Sequence, residues 1–154
     1  MKRNISVLLL VCLFAATVAQ AQSRPPAAKQ ILPLLQEQMV AANAHDTDSF
    51  LASFLHDASL IFVIDGEVIH GFDNLHVQQL KWWNGGRGGA TYTEQAPPDF
   101  VSLSSKAVLI TQQLASHRTM PDGKPSEGKL VVTTIWRRLP AGWRVIYCHE
   151  SHAR

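Results

Sequence analysis

Apolar residues in this chain of 154 residues change their spacing part of the way along the sequence. Over residues 29–44 they recur at steps of three and four, which predicts a helix with one buried stripe, formed by Ile31, Leu32, Leu35, Met39 and Ala42. From residue 60 onward, β-branched and aromatic runs between turn residues predict mostly strands. Two or three helices followed by antiparallel strands predict an α+β fold, with helices packed on one face of a curved sheet.

Turn residues between these runs place the remaining elements. A second, short helix is predicted to have Thr47 or Asp48 as its N-cap, and a third to cover residues 71–83. Strands are predicted at 60–64, 67–70, 90–95, 99–103, 107–116, 129–139 and 143–151. The segment 84–89, Asn-Gly-Gly-Arg-Gly-Gly, is predicted to be a flexible loop.

Residues 1–21 have the pattern of a secretory signal peptide. A basic start at Lys2 and Arg3 precedes an apolar run at 7–18, and Ala19-Gln20-Ala21 supplies a site with small residues for cleavage. The run is too short for a transmembrane helix. We therefore expect export to the periplasm or the medium, an extended lead-in at 22–28 and a single domain at 29–154.

Cleavage at this site would change both the charge and the cysteine content. The full chain has 14 basic and 12 acidic residues, but Lys2 and Arg3 lie in the signal segment, so 12 of each sign remain. A balanced charge without a basic run makes nucleic acid and anionic membranes poor partners. Cys12 is also lost, and the remaining Cys148 cannot form an internal disulfide.

Motifs that would identify a cofactor or a metal are absent from the sequence. The glycine-rich segment 84–89 lacks the spacing of a phosphate-binding loop and follows a predicted helix, not a strand. Of the seven histidines, only His149 and His152 are close in sequence, and their spacing on a strand directs them to opposite faces. The sequence therefore predicts no cofactor and no metal site.

Alternation along the last strand separates its polar residues into two sets. One face is expected to carry Trp143, Val145, Tyr147, His149 and Ser151, and the other Arg144, Ile146, Cys148, Glu150 and His152. Polar groups at the end of each face are either solvated or directed into a cavity, and periodicity alone does not choose between these alternatives.

Three segments resemble a known superfamily. Residues 131–152 (VVTTIWRRLPAGWRVIYCHESH) resemble the closing hairpin of SnoaL-like and DUF4440-type domains of the NTF2-like superfamily, and residues 45–75 resemble that family's second helix and first strands. The segment ITQQL followed by DGKP is similar to the association domain of calcium/calmodulin-dependent protein kinase II, a member of the same superfamily.

The resemblance implies a cone-shaped half-barrel with a pocket between sheet and helices, and it makes a homodimer through the outer sheet face an expectation. Glu150 and Thr134 fall where the kinase association domain has pocket-facing arginines, and Leu109 falls at a third such place. A pocket with an inward Glu150 is expected to prefer a neutral or cationic ligand. His76 and Tyr92 are further residues expected near its mouth, and Cys148 is expected on its wall.

An isomerase, cyclase or dehydratase of this family would need a base beside a hydrogen-bond donor. Glu150, with His149 or His152, is the candidate for that base. Asp65 is predicted to lie in a turn and Asp99 in a loop, so neither is expected to serve as the protonated carboxylic acid of a steroid isomerase.

Trp82 and Trp83, beside the glycine-rich loop, either form a lid over the pocket or fill the core. At the level of function, the sequence supports an exported protein that binds a small, mostly apolar ligand, with or without turnover. The alternative is a non-enzymatic module for homo-oligomerisation.

Overall fold

The computed structural model of the protein describes residues 24–87, 89–120 and 122–153, so the predicted signal peptide at 1–21 lies outside the described residues. Within these residues the chain forms three helices and seven strands. The helices are α1 (Ala28–Ala44), α2 (Thr47–Leu51) and α3 (Phe72–Trp82). The strands are β1 (Ile61–Ile64), β2 (Glu67–His70), β3 (Ala90–Glu94), β4 (Asp99–Ser104), β5 (Ala107–Thr119), β6 (Pro125–Leu139) and β7 (Gly142–His152).

The strands form one sheet in the order β2-β1-β7-β6-β5-β3, with β4 also paired to β5. The predicted α+β fold with a curved sheet is confirmed. The sheet is mixed rather than purely antiparallel, because β1 runs parallel to β7, with Ile64 beside Glu150. Hairpin pairing can be inferred from short turns, whereas the direction of a pair this distant in sequence cannot.

Strands β5 and β6 form a long antiparallel hairpin that extends beyond its predicted ends. They pair from Ala107 and Arg137 to Thr119 and Pro125, whereas β7 accompanies β6 only as far as Leu130. The outer end of this hairpin therefore projects past the last residue of β7, next to β3.

The hydrophobic core lies between the helices and one face of the sheet. Ile31 and Leu35 from α1 and Leu75 from α3 are nearly inaccessible, and they belong to one cluster with Ile110 and Trp136 from the sheet. Burying a side chain of this size contributes roughly 1.5–3 kcal/mol. The predicted apolar stripe of α1 is therefore the surface that attaches this helix to the sheet.

A β-bulge in β7 changes which residues face the core. Ile135 pairs with Tyr147, but the next residue of β6, Trp136, pairs with Val145, so Ile146 is an extra residue without a partner in this register. Val145 is consequently buried on the same side as Cys148. The prediction that Trp143 and Val145 share a face with Tyr147 and His149 is wrong, because a bulge reverses the alternation at the point where it occurs.

Helix α2 begins one residue earlier than the sequence indicated. Asp46 is its N-cap, and the carboxylate of Asp46 accepts a hydrogen bond from the Ser49 backbone N–H at 3.1 Å. In the described residues, no helix has the length and apolar character needed to cross a membrane.

Candidate functional site

The core side of the sheet and the helices enclose a cavity of about 430 Å³. This volume lies within the range of small-molecule sites, roughly 300–1,000 Å³. Much of the wall is apolar, and it includes Leu35, Met39, Phe50, Phe54, Leu114 and Leu130. A small number of polar groups interrupt this surface, as is usual where a protein holds and orients a ligand.

The last strand contributes three side chains to the cavity. After the bulge, every second residue of β7 faces the cavity, and Cys148, Glu150 and His152 line its wall. Their neighbours across the sheet include Thr134, beside Cys148, and Val132, beside Glu150. The choice that alternation left open is therefore resolved: the even-numbered residues at the end of β7 face the cavity.

Glu150 places a carboxyl group on the wall of the cavity. Its side chain is half-buried, since the accessible part faces the cavity while protein surrounds the rest. Within the described residues, no side chain donates a hydrogen bond to it. Burial, together with the nearby Asp65 carboxylate, raises the pKa of Glu150 to about 7. Near neutral pH the group is thus present in both its acid and its base form.

Asp65 and His152 form a hydrogen-bonded pair close to Glu150. Asp65 lies in the turn between β1 and β2, with a positive φ of 47°, and its Oδ2 lies 2.8 Å from Nδ1 of His152. The backbone N–H of His152 donates to Oδ1 of the same carboxylate at 3.0 Å. Because Nδ1 is engaged, Nε2 is the ring nitrogen left to exchange a proton with a ligand.

The role of Asp65 was not apparent from the sequence. An Asp-Gly pair between two short strands is sufficiently explained by the turn that it forms. The contact with His152 spans 87 residues and depends on the parallel pairing of β1 with β7. Only that pairing brings the turn to the end of the last strand.

Tyr92 reaches the cavity from β3, and α1 fixes the backbone that carries it. The Asn43 side chain accepts a hydrogen bond from the Tyr92 N–H at 2.6 Å and donates one to the Tyr92 carbonyl at 3.0 Å. Burial, and secondarily the charge of Glu150, raise the pKa of Tyr92 above its usual value. The phenol therefore stays protonated near neutral pH and can donate a hydrogen bond.

Two small residues accompany Tyr92 in its row across the sheet. Tyr92 pairs with Ser116, which pairs with Gly128. A Cβ atom at Gly128 would lie 2.8 Å from the Ser116 Oγ, so this position has no room for a larger residue unless Ser116 moves. Because Gly128 has no side chain, it leaves space above the sheet in the row that carries Tyr92.

The two adjacent tryptophans occupy different environments. Trp83 is only 6% exposed, and its ring lies 5.1 Å from Phe50 and 5.7 Å from His45. Trp82 is 36% exposed at the rim of the cavity, with its ring 5.9 Å from Phe62. Both tryptophans line the cavity, Trp83 as a buried part of the wall and Trp82 as part of the rim.

Cys148 on β7 and Thr134 on β6 contribute neutral groups to the wall of the cavity. Burial, followed by the charge of Glu150, raises the pKa of Cys148 well above its usual value, which keeps the thiol protonated and weakly nucleophilic. Thr134 accepts a hydrogen bond from the Trp136 indole N–H at 2.9 Å. Both line the cavity, but neither is equipped for covalent chemistry.

Three residues predicted for the site lie elsewhere. Leu109 and His149 are on the outer face of the sheet, where they pair with Ile135 and Thr133 respectively. His76 lies on the surface, with Nε2 2.7 Å from Oδ1 of Asp48. The inward side of α3 is the stripe of Leu75, Gln79 and Trp82, of which Gln79 and Trp82 line the cavity. His76 follows Leu75 directly, and the turn of about 100° per residue places it beside this stripe and not on it.

Two buried glutamines that the sequence analysis did not single out are part of the cavity wall. Gln79 from α3 and Gln112 from β5 are 5% and 7% exposed, and both line the cavity. Alternation along β5 could have identified Gln112, since it lies between the buried residues Ile110 and Leu114. Throughout the described residues, no three side chains of His, Cys, Asp or Glu are grouped as metal ligands.

The raised pKa of Glu150 makes a prediction about stability. Its ordinary value is 4.5, so between about pH 4.5 and pH 7 the folded protein retains a proton that the unfolded chain has released. This linkage contributes stability at low pH that is lost as the pH rises toward 7, by roughly 3 kcal/mol at most. We expect Glu150→Gln to remove this loss, so that the variant gains stability relative to the wild type between pH 5 and pH 8.

Urea denaturation at these two pH values measures the difference in unfolding free energy. Glu37→Gln, an exposed position on α1, is the matched control and should show the same difference at both pH values. A constant difference between Glu150→Gln and the wild type would mean that Glu150 titrates as it does in water.

Comparison with known proteins identifies the fold. No family model and no curated protein matches the chain. An NTF-2-like protein of unknown function from Shewanella oneidensis MR-1 is 20% identical, covering 80% of this chain and 98% of its own, with a TM-score of 0.66. A ketosteroid isomerase-like protein from Erwinia carotovora atroseptica is 15% identical, covering 84% and 98%, with a TM-score of 0.67.

The association domain of CaMKII from C. elegans is similar to a comparable degree, at 14% identity over 80% of this chain and 93% of that domain, with a TM-score of 0.64. Identities this low identify a fold and leave the activity open. They confirm the predicted resemblance at that level, and we conclude that this chain has the NTF2-like fold.

Proposed function

We propose that the protein binds a small, mostly apolar molecule in the cavity and catalyses a proton transfer on it without a cofactor. The reaction class is that of an isomerase, cyclase or dehydratase. One observation carries the proposal: the carboxyl group of Glu150 faces an apolar cavity, has no hydrogen-bond donor within the described residues, and has a pKa of about 7. A base poised near the working pH is what general acid–base catalysis requires.

In this proposal Glu150 and Tyr92 act on adjacent groups of the ligand. The ionised carboxylate of Glu150 takes a proton from a carbon next to a carbonyl, and the electron pair of that C–H bond moves toward the carbonyl oxygen. The Tyr92 hydroxyl donates a hydrogen bond to this oxygen as negative charge develops on it. Return of the proton to another carbon completes an isomerisation.

His152 supplies a second proton carrier in the same proposal. Asp65 holds the ring through Nδ1, so Nε2 can deliver a proton to an oxygen that leaves, as a dehydration requires. The part of the ligand next to Glu150 is neutral or cationic, because another anion there would meet an ionised carboxylate in a poorly solvated site.

The proposal can be tested without knowing the substrate. Purified protein is incubated with small cyclic ketones in D₂O, 2-tetralone first, and exchange of the protons next to the carbonyl is followed by NMR. We expect catalysed exchange that Glu150→Gln slows by about 10²-fold or more. The rate should rise with pH and level off above about pH 7, because only the ionised carboxylate accepts a proton.

Glu37→Gln is again the matched control and should exchange like the wild type. Equal rates for Glu150→Gln and the wild type would contradict the assignment of Glu150 as the base. The same holds if the wild type accelerates exchange of no ketone in the panel.

A second function, homo-oligomerisation, is supported by the outer face of the sheet. An outer-face row of paired apolar residues crosses five strands, formed by Val101, Leu109, Ile135, Tyr147 and Ile61. Val101 is half exposed in the single chain, at 50%. Exposed apolar surface of this kind is typical of an interface, and we propose a homodimer that is compatible with a working cavity on the other face.

We also propose that the protein acts after export, which the signal peptide proposed for residues 1–21 would direct.

Sedimentation velocity tests the dimer. We expect a dimer for the wild type and a folded monomer for Ile135→Lys, since a charge in the middle of the outer-face row opposes burial of both copies. Val40→Lys, on an exposed position of α1 at 65%, is the control and should remain dimeric. A monomeric wild type at all concentrations would contradict the proposal.

A further inference from the structure

Arg118 lies where the cavity opens to solvent. The inner side of β5 runs through Val108, Ile110, Gln112, Leu114 and Ser116, which are all buried. Alternation continues this series to Arg118, which lines the cavity but is itself exposed. Its side chain therefore extends from the concave side of the sheet at the mouth of the cavity, across from Ala90 of β3.

The guanidinium group of Arg118 has no anionic partner among the described residues. Three other cations of the described residues are engaged in contrast: Lys124 lies 3.2 Å from Asp122, Arg138 donates a hydrogen bond to Gln30, and Arg144 donates to a backbone carbonyl at 2.8 Å. A guanidinium presents donors in a planar fork that suits carboxylate and phosphate oxygens. At the mouth of an apolar cavity, this leaves its donors available to a ligand.

The opposite end of the cavity carries the opposite charge. On β6, Ser126 pairs with Arg118 and Val132 pairs with Glu150, six residues apart. At about 3.4 Å per residue, the backbone positions are separated by roughly 20 Å along the strand. Between them the wall is apolar, with Leu114 and Leu130. An anionic group at Arg118 would thus be well separated from the Glu150 carboxylate.

Tyr92 lies within the influence of both charges. The negative charge of Glu150 raises the pKa of its phenol, and the positive charge of Arg118 lowers it. The sheet register gives their order, because the row of Tyr92 reaches β6 at Gly128, between the rows of Arg118 and Glu150. Tyr92 therefore lies between the other two residues along the strands.

We propose that the ligand carries an anionic group, a carboxylate or a phosphate, which Arg118 binds at the mouth while the apolar body extends toward Tyr92 and Glu150. This inference rests on the proposed function, since it assigns the substrate class of the same cavity. The ligand is then an amphipathic acid whose reacting carbon lies near the end opposite its anionic group. The requirement for a neutral or cationic group applies only to the part beside Glu150.

Titration calorimetry with three probes of equal chain length tests this assignment: decanoate, decyl phosphate and decanamide. We expect at least one of the anionic probes to bind about tenfold or more tightly than the neutral amide, as a charge-assisted hydrogen bond predicts. The stronger of the two anionic probes identifies the group as carboxylate or phosphate.

Arg118→Gln should remove this preference and leave decanamide binding within about twofold of the wild type. Arg87→Gln is the matched control, because it removes the same charge from the exposed loop after α3 at a residue that does not line the cavity. It should keep the preference.

Equal affinity for the three probes, or an anion preference that survives in Arg118→Gln, would overturn the inference and leave the proton-transfer proposal intact. Binding of none of the probes would overturn this inference, and it would also count against an apolar ligand in the cavity. Exchange at a ketone carbon, which Glu150→Gln tests, is measured independently of these affinities.

Discussion

The bulge at Ile146 is the constraint on which the site depends. It allows one strand to bury Trp143 and Val145 in the core and then to direct Cys148, Glu150 and His152 toward the cavity. A regular strand with the same core contacts would direct His149 and Ser151 inward and leave Glu150 in water. A single extra residue therefore decides which chemical groups the cavity contains.

Position within the sheet explains the electrostatics that follow. Glu150 lies between β1 and β6, away from the sheet edges, so its carboxyl group loses water without gaining a hydrogen-bond donor from the part of the chain that the structure describes. Asp65, brought alongside by the parallel β1–β7 pair, adds negative charge and orients His152. Both effects oppose ionisation of Glu150, and together they move its pKa into the range where a side chain can accept and return a proton.

Several parts of this arrangement could be predicted from the sequence, and the rest could not for identifiable reasons. The spacing of Ile31 and Leu35 gave the buried side of α1, and the resemblance of residues 131–152 gave the fold. Alternation along β7 grouped Cys148, Glu150 and His152 correctly because they all follow the bulge. Alternation misplaced Val145 because this residue precedes the bulge.

The other differences arise from contacts between distant parts of the chain. The sequence around Asp65 indicates only a turn residue, since its partner His152 lies 87 residues away. Alignment by resemblance placed Leu109 in the pocket, but the register of β5 turns it outward. The prediction of His76 at the mouth is wrong because the sequence does not specify which stripe of α3 packs on the sheet. Which strands pair, in what register they pair, and how a helix is rotated toward the sheet are tertiary properties. Local patterns of residues do not determine them.

Direct titration of the Glu150 carboxyl group is the decisive measurement. Protein labelled with ¹³C at the glutamate side-chain carboxyl carbons is titrated by NMR, and the Glu150 resonance is identified by its absence from Glu150→Gln. The account predicts a pKa of about 7 for this resonance. A midpoint near the ordinary value of 4.5 would show that Glu150 is solvated and would contradict its role as the base of the cavity.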